Sequence, residues 1–316
     1  MHTLLLAAVA LANPQGQKID LSRVFIAGEK AIYEFNSRIS VDSRMVPLQT
    51  FIPETDSFTY TFTTLVEQMK PDGVADLRFR RPKIVLNMGE TFDSPPTSLP
   101  LQKDENLLFT ISRKNQMLAV KDFTPRKKEK DGSAAIVLRS RAEAGAGQID
   151  IGAWIGQLRQ IGAFVNFFDL GPILPNEPVA VGDIWKDTIG YVPATVSAGA
   201  DKGKSINARI DYAMTFMGAT NLNGRAVWHI QGKISQDSDA APYIAQLLNV
   251  KLERAPFKEI KLKIDGLVDY YLDHKTLHPL QIKAASEGSV DVTVPEYSGG
   301  PVYEERFKSR ASLVKK

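Results

Sequence analysis

Two stretches of strict apolar/polar alternation around an Asn-Gly turn constrain the fold of this chain more than any other feature. In residues 206–216 every second side chain is apolar and the intervening ones are mainly polar, and residues 225–235 repeat the pattern. Alternation with a period of two places one side of a strand against a core and the other side in water. Asn223-Gly224 between the two stretches favours a hairpin. The sequence therefore predicts an antiparallel sheet with one buried face.

The same arrangement occurs earlier in the chain. Gly28 precedes an alternating strand as Gly182 does, and in each case a second strand follows after a turn, at Gly73 or at Gly224, with a similar spacing. A shared period of this kind predicts two related β modules. The predicted modules are residues 13–170, which end in a connecting helix, and residues 171–316, which begin with the proline-rich stretch 171–181 and contain one short helix.

Two segments change to helical periodicity. Between Ile151 and Phe168 the apolar residues are mostly three or four positions apart, and a second apolar stripe runs from Ala241 to Leu252. The predicted fold class is therefore mainly β with few helices: a large curved sheet or half-barrel with one or two helices in its concavity. The alternative for the first helix is a membrane-surface helix, but Arg159 is the only cation on its polar face, where interfacial helices usually carry several.

The N-terminus carries the pattern of an export signal. Leu4–Ala12 is a short apolar run that ends in an A-x-A cleavage site, and it is too short to span a bilayer as a helix. We expect residues 1–12 to be removed as a signal peptide; the alternative is a disordered or packed N-terminal strand. The chain has no cysteine, which excludes disulfides, thiol nucleophiles and cysteine-ligated metals. Together these features favour an exported bacterial protein, periplasmic or extracellular.

The charge pattern does not indicate a nucleic-acid partner. The net charge of +3 is too small for that class of protein. Basic clusters occur at Arg78–Lys83 and at Arg126–Lys130. The second cluster favours a solvated hairpin tip, and its alternative is a patch for anionic surfaces such as envelope lipid headgroups or glycans. We therefore expect peripheral contact with a membrane at most.

No strong catalytic or metal-binding motif is present in the sequence. Residues 198–205 nearly match a phosphate-binding loop, but the first glycine is an alanine and a strand is predicted to follow where the motif needs a helix. His274 and His278 lie in a predicted turn, where their spacing does not bring them to one metal ion. Asp265 and Asp269 on one strand are separated by roughly 13 Å, beyond the reach of a glycosidase pair. We therefore predict no catalytic residue, no metal and no cofactor.

Three sequence features together resemble a family of uncharacterised exported bacterial β-rich proteins: Gly182-Asp183-Ile184-Trp185, the following Asn-Gly hairpin, and the segment 265–273, Asp-Gly-Leu-Val-Asp-Tyr-Tyr-Leu-Asp. The resemblance covers most of residues 20–315, and it implies secretion and a fold but no activity. At the level of fold, a curved sheet with helices in its concavity resembles the periplasmic lipoprotein-carrier half-barrel. There the sheet and helices enclose an apolar cavity for acyl chains.

Three functional hypotheses follow. The first is a non-enzymatic envelope protein that binds a lipid or another hydrophobic small molecule, or an envelope protein partner, in its concavity. The second is a structural or adhesive module whose strand edges pair with another protein. The third is a hydrolase of envelope polymers, which needs a cleft where His229, His274 or His278 meets carboxylates. The residues expected to line the concavity, or alternatively to form a solid core, are Trp154, Leu158, Phe164, Phe168, Tyr212, Phe216 and Trp228.

Overall fold

The computed structural model describes residues 16–46, 48, 50–101, 104–124, 151–191, 208–247, 251–295 and 297–316. Within these residues the protein is mainly β, with one large antiparallel sheet that is not closed into a barrel and two α-helices. The predicted fold class is confirmed. Three sequence predictions lie outside the described residues: the signal peptide, the loop 198–205 and the basic cluster Arg126–Lys130.

The elements follow the periodicities of the sequence closely. The second predicted helix, from Ala241 to Leu252, is described as helical up to Leu247. No helix of the described residues has the length and apolar character needed to cross a membrane. The elements are β1 Lys30–Met45, β2 Ile52–Met69, β3 Ala75–Arg81, β4 Ile84–Glu90, β5 Thr97–Leu101, β6 Glu105–Ile111, β7 Met117–Asp122, α1 Ile151–Gly162, β8 Ile184–Tyr191, β9 Ala208–Leu222, β10 Arg225–Asp239, α2 Ala241–Leu247, a 3₁₀ helix Leu252–Arg254, β11 Glu259–Asp273, β12 Pro279–Thr293 and β13 Tyr303–Lys315.

The strands form one sheet in the order β7-β6-β3-β2-β1-β13-β12-β11-β10-β9-β8, and β4 pairs with β2 and β5 beside this path. The first and last strands meet at its centre, where β1 pairs antiparallel with β13 from Tyr33 opposite Lys315 to Met45 opposite Tyr303. Both predicted modules therefore contribute to a single sheet. Their boundary between residues 170 and 171 stays a prediction.

The two glycine motifs of the predicted repeat make the same backbone hydrogen bonds. The Gly28 N–H donates to the Val66 carbonyl (2.9 Å), and the Val66 N–H donates back to the residue after Gly28 (3.0 Å). In the same way, the Gly182 N–H donates to the Phe216 carbonyl (2.8 Å), and the Phe216 N–H donates back to the carbonyl of the residue after Gly182 (3.0 Å). Gly28 and Gly182 have φ of 79° and 93°, in the left-handed region that favours glycine. The repeated residues thus mark a repeated turn into a strand.

The sheet has one apolar face and one polar face, as β1 illustrates. Phe35, Ile39 and Val41 are buried, whereas Asn36 and Arg38 are exposed. We call the face that carries Phe35 the inner face, and the face that carries Arg38 the outer face. Helix α1 packs against β12 and β13 on the inner face, so the core lies between the helical segments and the sheet.

Candidate functional site

Helix α1 is held on the inner face by small residues of the sheet. The hydroxyls of Ser286 on β12 and Ser309 on β13 both donate to the carbonyl of Gly162, the last residue of α1, at 2.7 and 2.6 Å. The last carbonyls of a helix lack partners within the helix, so the sheet supplies them here. A Cβ atom added to Gly266 on β11 would lie 3.2 Å from the ring of Phe164. The chain after α1 therefore approaches the sheet where the sheet has little side-chain volume.

The helical prediction was wrong for the residues beyond Gly162. Helix α1 ends there because Phe164 and Asn166 adopt φ of 58° and 66°, a left-handed conformation that a right-handed helix cannot contain and that is rare for a bulky residue. The rings of Phe164 and Phe168 then stack with their centroids 5.4 Å apart. Both side chains are buried in the core.

Most of the residues that we expected to line the concavity come together in one buried cluster. Trp154 belongs to α1, but its side chain lies outside what the structure describes. The Phe168 ring meets Tyr270 edge-on at 6.0 Å, and the rings of Phe216 and Trp228 lie 5.5 Å apart. That this core admits a ligand stays a prediction. The clustered residues are Leu158, Phe164, Phe168, Tyr212, Phe216 and Trp228.

Arg159 anchors α1 to the sheet through a buried ionic cluster that the sequence patterns did not indicate. Its guanidinium lies 3.0 Å from Asp56, 2.9 Å from Glu305 and 3.1 Å from Glu54. The Glu305 oxygen that faces Arg159 is Oε2, and the Tyr303 hydroxyl also donates to it, at 2.6 Å. We expected Arg159 on the polar face of an amphipathic helix. The structure corrects this, because the residue is only 7% exposed and points to the sheet.

The Arg159 cluster contains more carboxylates than cations. Burial raises the pKa of the Glu305 carboxyl, and the neighbouring Arg159 lowers it only in part. The Oε1 atom of Glu305 is buried without a hydrogen-bond partner in the described part of the chain. Protonation of Glu305 therefore relieves repulsion inside the cluster.

Arg81, at the end of β3, forms a second buried cluster beneath the segment that follows α1. It makes ion pairs with Glu105 and with Asp169, the latter at 3.0 Å. The Tyr60 hydroxyl donates to Asp169 at 2.9 Å. Burial raises the pKa of the Asp169 carboxyl, although Arg81 and Tyr60 favour its charged form. Arg81 thus ties the chain just after Phe168 to the sheet.

His278 is buried where the N-terminal segment meets β1 and the turn before β12. Its Nδ1 atom lies 3.3 Å from both Arg23 Nη2 and Tyr33 Oη, and its Nε2 atom lies 3.1 Å from Glu29 Oε2. Burial, assisted by the charge of Arg23, lowers the pKa of His278 to about 3. The imidazole is therefore neutral at physiological pH and joins three parts of the chain.

The other two histidines outside the predicted signal peptide contact aromatic rings. His229 on the outer face lies 2.8 Å from Asp269 and stacks on Tyr271 at 5.0 Å. His274 stacks on Trp228 at 4.3 Å. Among the described residues, no group of three or more His, Asp and Glu side chains is arranged to hold a metal ion. His229 with Asp269 is the outer-face contact that the hydrolase hypothesis would have to use.

The comparisons with known proteins found matches among solved structures. No protein-family model matches the chain, and no curated protein matches it. Similar solved structures include DynF from the dynemicin biosynthesis pathway of Micromonospora chersina, an outer membrane lipoprotein-sorting protein domain from Vibrio parahaemolyticus and a DUF1329 family protein from Desulfovibrio piger.

The three similarities are distant. The identities are 6%, 8% and 8%, over 97%, 89% and 88% of this chain and 89%, 85% and 83% of the other chains, with TM-scores of 0.23, 0.16 and 0.15. Similarities with TM-scores this low carry no argument about ligand or activity.

Proposed function

We propose that the protein is an exported, non-catalytic binding protein whose inner face takes an apolar, lipid-like ligand. The observation that carries this proposal is the way in which Phe164 enters the core. Its ring comes from the segment after α1 rather than from a strand, and its backbone has a φ of 58°. A bulky residue in this region costs of order 1–3 kcal/mol and persists only where its surroundings hold it. Displacement of the Phe164 ring by another apolar group would release this strain.

The sheet beneath Phe164 leaves space that no strand fills. Gly266 has no side chain, and the short side chains of Ser286 and Ser309 are bonded to the end of α1. Because protein interiors are close-packed, this space has to be filled from outside the sheet. An acyl chain fills it as a phenyl ring does, with about 25 cal/mol gained for each Å² of apolar surface buried.

Two anchors limit how much of the chain has to move. Arg159 fixes α1 to the sheet through Asp56 and Glu305, and Arg81 fixes Asp169. The residues between Gly162, whose carbonyl is bonded to the sheet, and Asn166, whose side chain accepts a hydrogen bond from Arg81, are the ones that shift when a ligand replaces the Phe164 ring. The sheet and both ionic clusters stay intact, so the bound and free forms differ only locally.

A fluorescent fatty acid tests the proposal. Phe164→Gly removes the ring and the strained side chain, so we expect this variant to bind the probe about tenfold more tightly than the wild type, equivalent to about 1.4 kcal/mol. Phe92→Gly is the matched control, because Phe92 is 100% exposed and its loss should leave the affinity unchanged. If neither the wild type nor Phe164→Gly takes up the probe, and native mass spectrometry finds no extractable lipid, the proposal is wrong.

Export is the second part of the proposal, and the apolar run Leu4–Ala12 supports it. Cleavage after Ala12 leaves Asn13 as the first residue. N-terminal sequencing of the protein from an envelope fraction should therefore begin at Asn13-Pro14. Recovery of chains that still begin at Met1 from the cytosol alone would contradict export.

A second candidate function is pairing with a partner protein through a strand edge. Among the described strands β7 has one neighbour, β6, and Met117, Leu118 and Val120 of β7 are 54%, 56% and 52% exposed. An apolar edge strand is a template for a further strand. Sedimentation velocity distinguishes the candidates: partner pairing predicts an oligomer or complex that Val120→Lys dissociates, whereas ligand binding alone predicts a monomer in both proteins.

A further inference from the structure

The outer face carries two arginines directly opposite each other at the centre of the sheet. Arg38 on β1 and Arg310 on β13 are register partners, and Ser57 on β2 lies opposite Arg38 on its other side. Like charges at directly opposed positions of neighbouring strands repel each other. The arrangement is therefore unfavourable for the protein alone and becomes favourable when an anion lies between the two guanidinium groups.

Few carboxylates neutralise this arginine pair. Arg38 lies 3.6 Å from Glu90, with the two side chains 66% and 48% exposed, and an ion pair this exposed contributes little. Arg310 has no ion-pair partner in the described part of the chain. The next cation along β13, Lys308, is engaged with Glu287 at 3.8 Å. The positive charge at Arg38 and Arg310 is thus balanced mainly by solvent ions.

The two arginines border an open depression of about 350 Å³. None of the described residues that line it carries a carboxylate. Guanidinium groups bind phosphate through paired N–H donors, and hydroxyl and amide groups can donate the remaining hydrogen bonds. The depression combines both kinds of donor. The lining residues with polar side chains on the outer face are Arg38, Arg310, Asn36, Ser57, Thr59 and Ser312.

We propose that this depression binds a phosphate group between Arg38 and Arg310, carried either by a soluble phosphate ester or by a lipid headgroup. The strands β2, β1 and β13 that supply the donors lie inside the sheet, paired on both sides. The backbone positions of the two arginines are therefore fixed before the ligand arrives, which reduces the entropic cost of binding. The site lies on the outer face and does not depend on the inner-face ligand.

Titration with sodium phosphate and with glycerol 3-phosphate at constant ionic strength tests this site. Calorimetry should show saturable binding, weakened about tenfold or more by Arg310→Gln and by Arg38→Gln, because each substitution removes one charged donor pair. Lys233→Gln is the matched control. Lys233 is exposed on the same face and in the same cross-strand row, outside the depression. Its loss should change the affinity less than about twofold, since it removes the same charge without a contact.

The stability of Arg310→Gln shows whether the variant remains folded. Since the substitution removes a repulsion, its unfolding temperature without phosphate should equal or exceed that of the wild type. Absence of saturable phosphate binding, or equal weakening by Arg310→Gln and Lys233→Gln, overturns the proposal.

Vesicles distinguish the two sources of phosphate. Co-sedimentation with phosphatidylglycerol vesicles, but not with phosphatidylcholine vesicles, that Arg310→Gln abolishes identifies a headgroup. Binding of glycerol 3-phosphate without vesicle binding identifies a soluble ester. Either result supports the phosphate site, and the second shows that its ligand is not a membrane lipid.

Discussion

The guanidinium of Arg159 in helix α1 lies 3.0 Å from the carboxylate of Asp56 in strand β2. Neither side chain is accessible enough for water to solvate its charge, since their exposed fractions are 9% and 0%. A buried charge that loses its partner costs far more than a broken surface pair. The contact between these two residues therefore determines how firmly α1 is held on the inner face.

Substitution of Arg159 should destabilise the protein strongly. Arg159→Met leaves Asp56 and Glu305 buried without their cation, and we expect a loss of about 3–5 kcal/mol in the free energy of unfolding, measured by urea denaturation. Lys308→Met is the control, because its pair with Glu287 is exposed and should contribute less than about 1 kcal/mol. If both variants lost the same free energy of unfolding, the charges of the Arg159 cluster would have to be accessible to water.

Substitution by alanine at two glycines of α1 should change the stability of the protein in opposite directions. At Gly162 an added Cβ would lie 2.6 Å from a ring carbon of Phe307, and such overpacking costs about 1–3 kcal/mol. At Gly156 it would lie 3.3 Å from the terminal methyl of Met88, which can move, so the higher helix propensity of alanine should stabilise by up to about 1 kcal/mol. Thermal unfolding of the two variants provides the comparison. A stabilised Gly162→Ala would place α1 farther from β13.

A local pattern was sufficient to predict the hairpin that β9 and β10 form. Of the two alternating stretches, residues 208–216 lie in β9 and residues 225–235 lie in β10, and the chain turns between them at Asn223-Gly224. These features depend on a few neighbouring residues, so a short window of sequence contains them. The pairing of β1 with β13 joins Tyr33 to Lys315. No local pattern specifies that register, and the order of the strands was therefore not predicted.

The candidate site was predicted only for its apolar part. Leu158 and Phe168 were identified because apolar spacing places them on one face of a helix. Arg159 was assigned to the polar face because its partners are distant in sequence: Asp56 is 103 residues away and Glu305 is 146. The one available signal was that Arg159 is the single charged residue between Ile151 and Phe168, and a lone charge among apolar residues permits either a solvated or a buried, paired position.

The buried His278 should make stability depend on pH. Its pKa falls from 6.5 in the unfolded chain to about 3 in the folded protein, so in this window the unfolded state binds more protons. Its contribution to stability is full above about pH 6.5 and is lost as the pH falls, by up to about 1.4 kcal/mol per pH unit. Urea denaturation between about pH 6 and pH 4 should give a flatter profile for His278→Gln than for the wild type. Identical slopes would mean that His278 titrates alike in both states.

Ser286 and Ser309 share one acceptor, so their substitutions should not be additive. Either Ser286→Ala or Ser309→Ala leaves one hydroxyl on the Gly162 carbonyl, and each should cost about 0.5–1.5 kcal/mol. The double variant leaves that buried carbonyl without either donor and should cost about 1–3 kcal/mol beyond the sum of the singles. A double-mutant cycle in urea measures this coupling, with Ser40→Ala on the outer face as a neutral control. Additive losses would show that only one hydroxyl donates to Gly162, and that the end of α1 depends less on the sheet than its position implies.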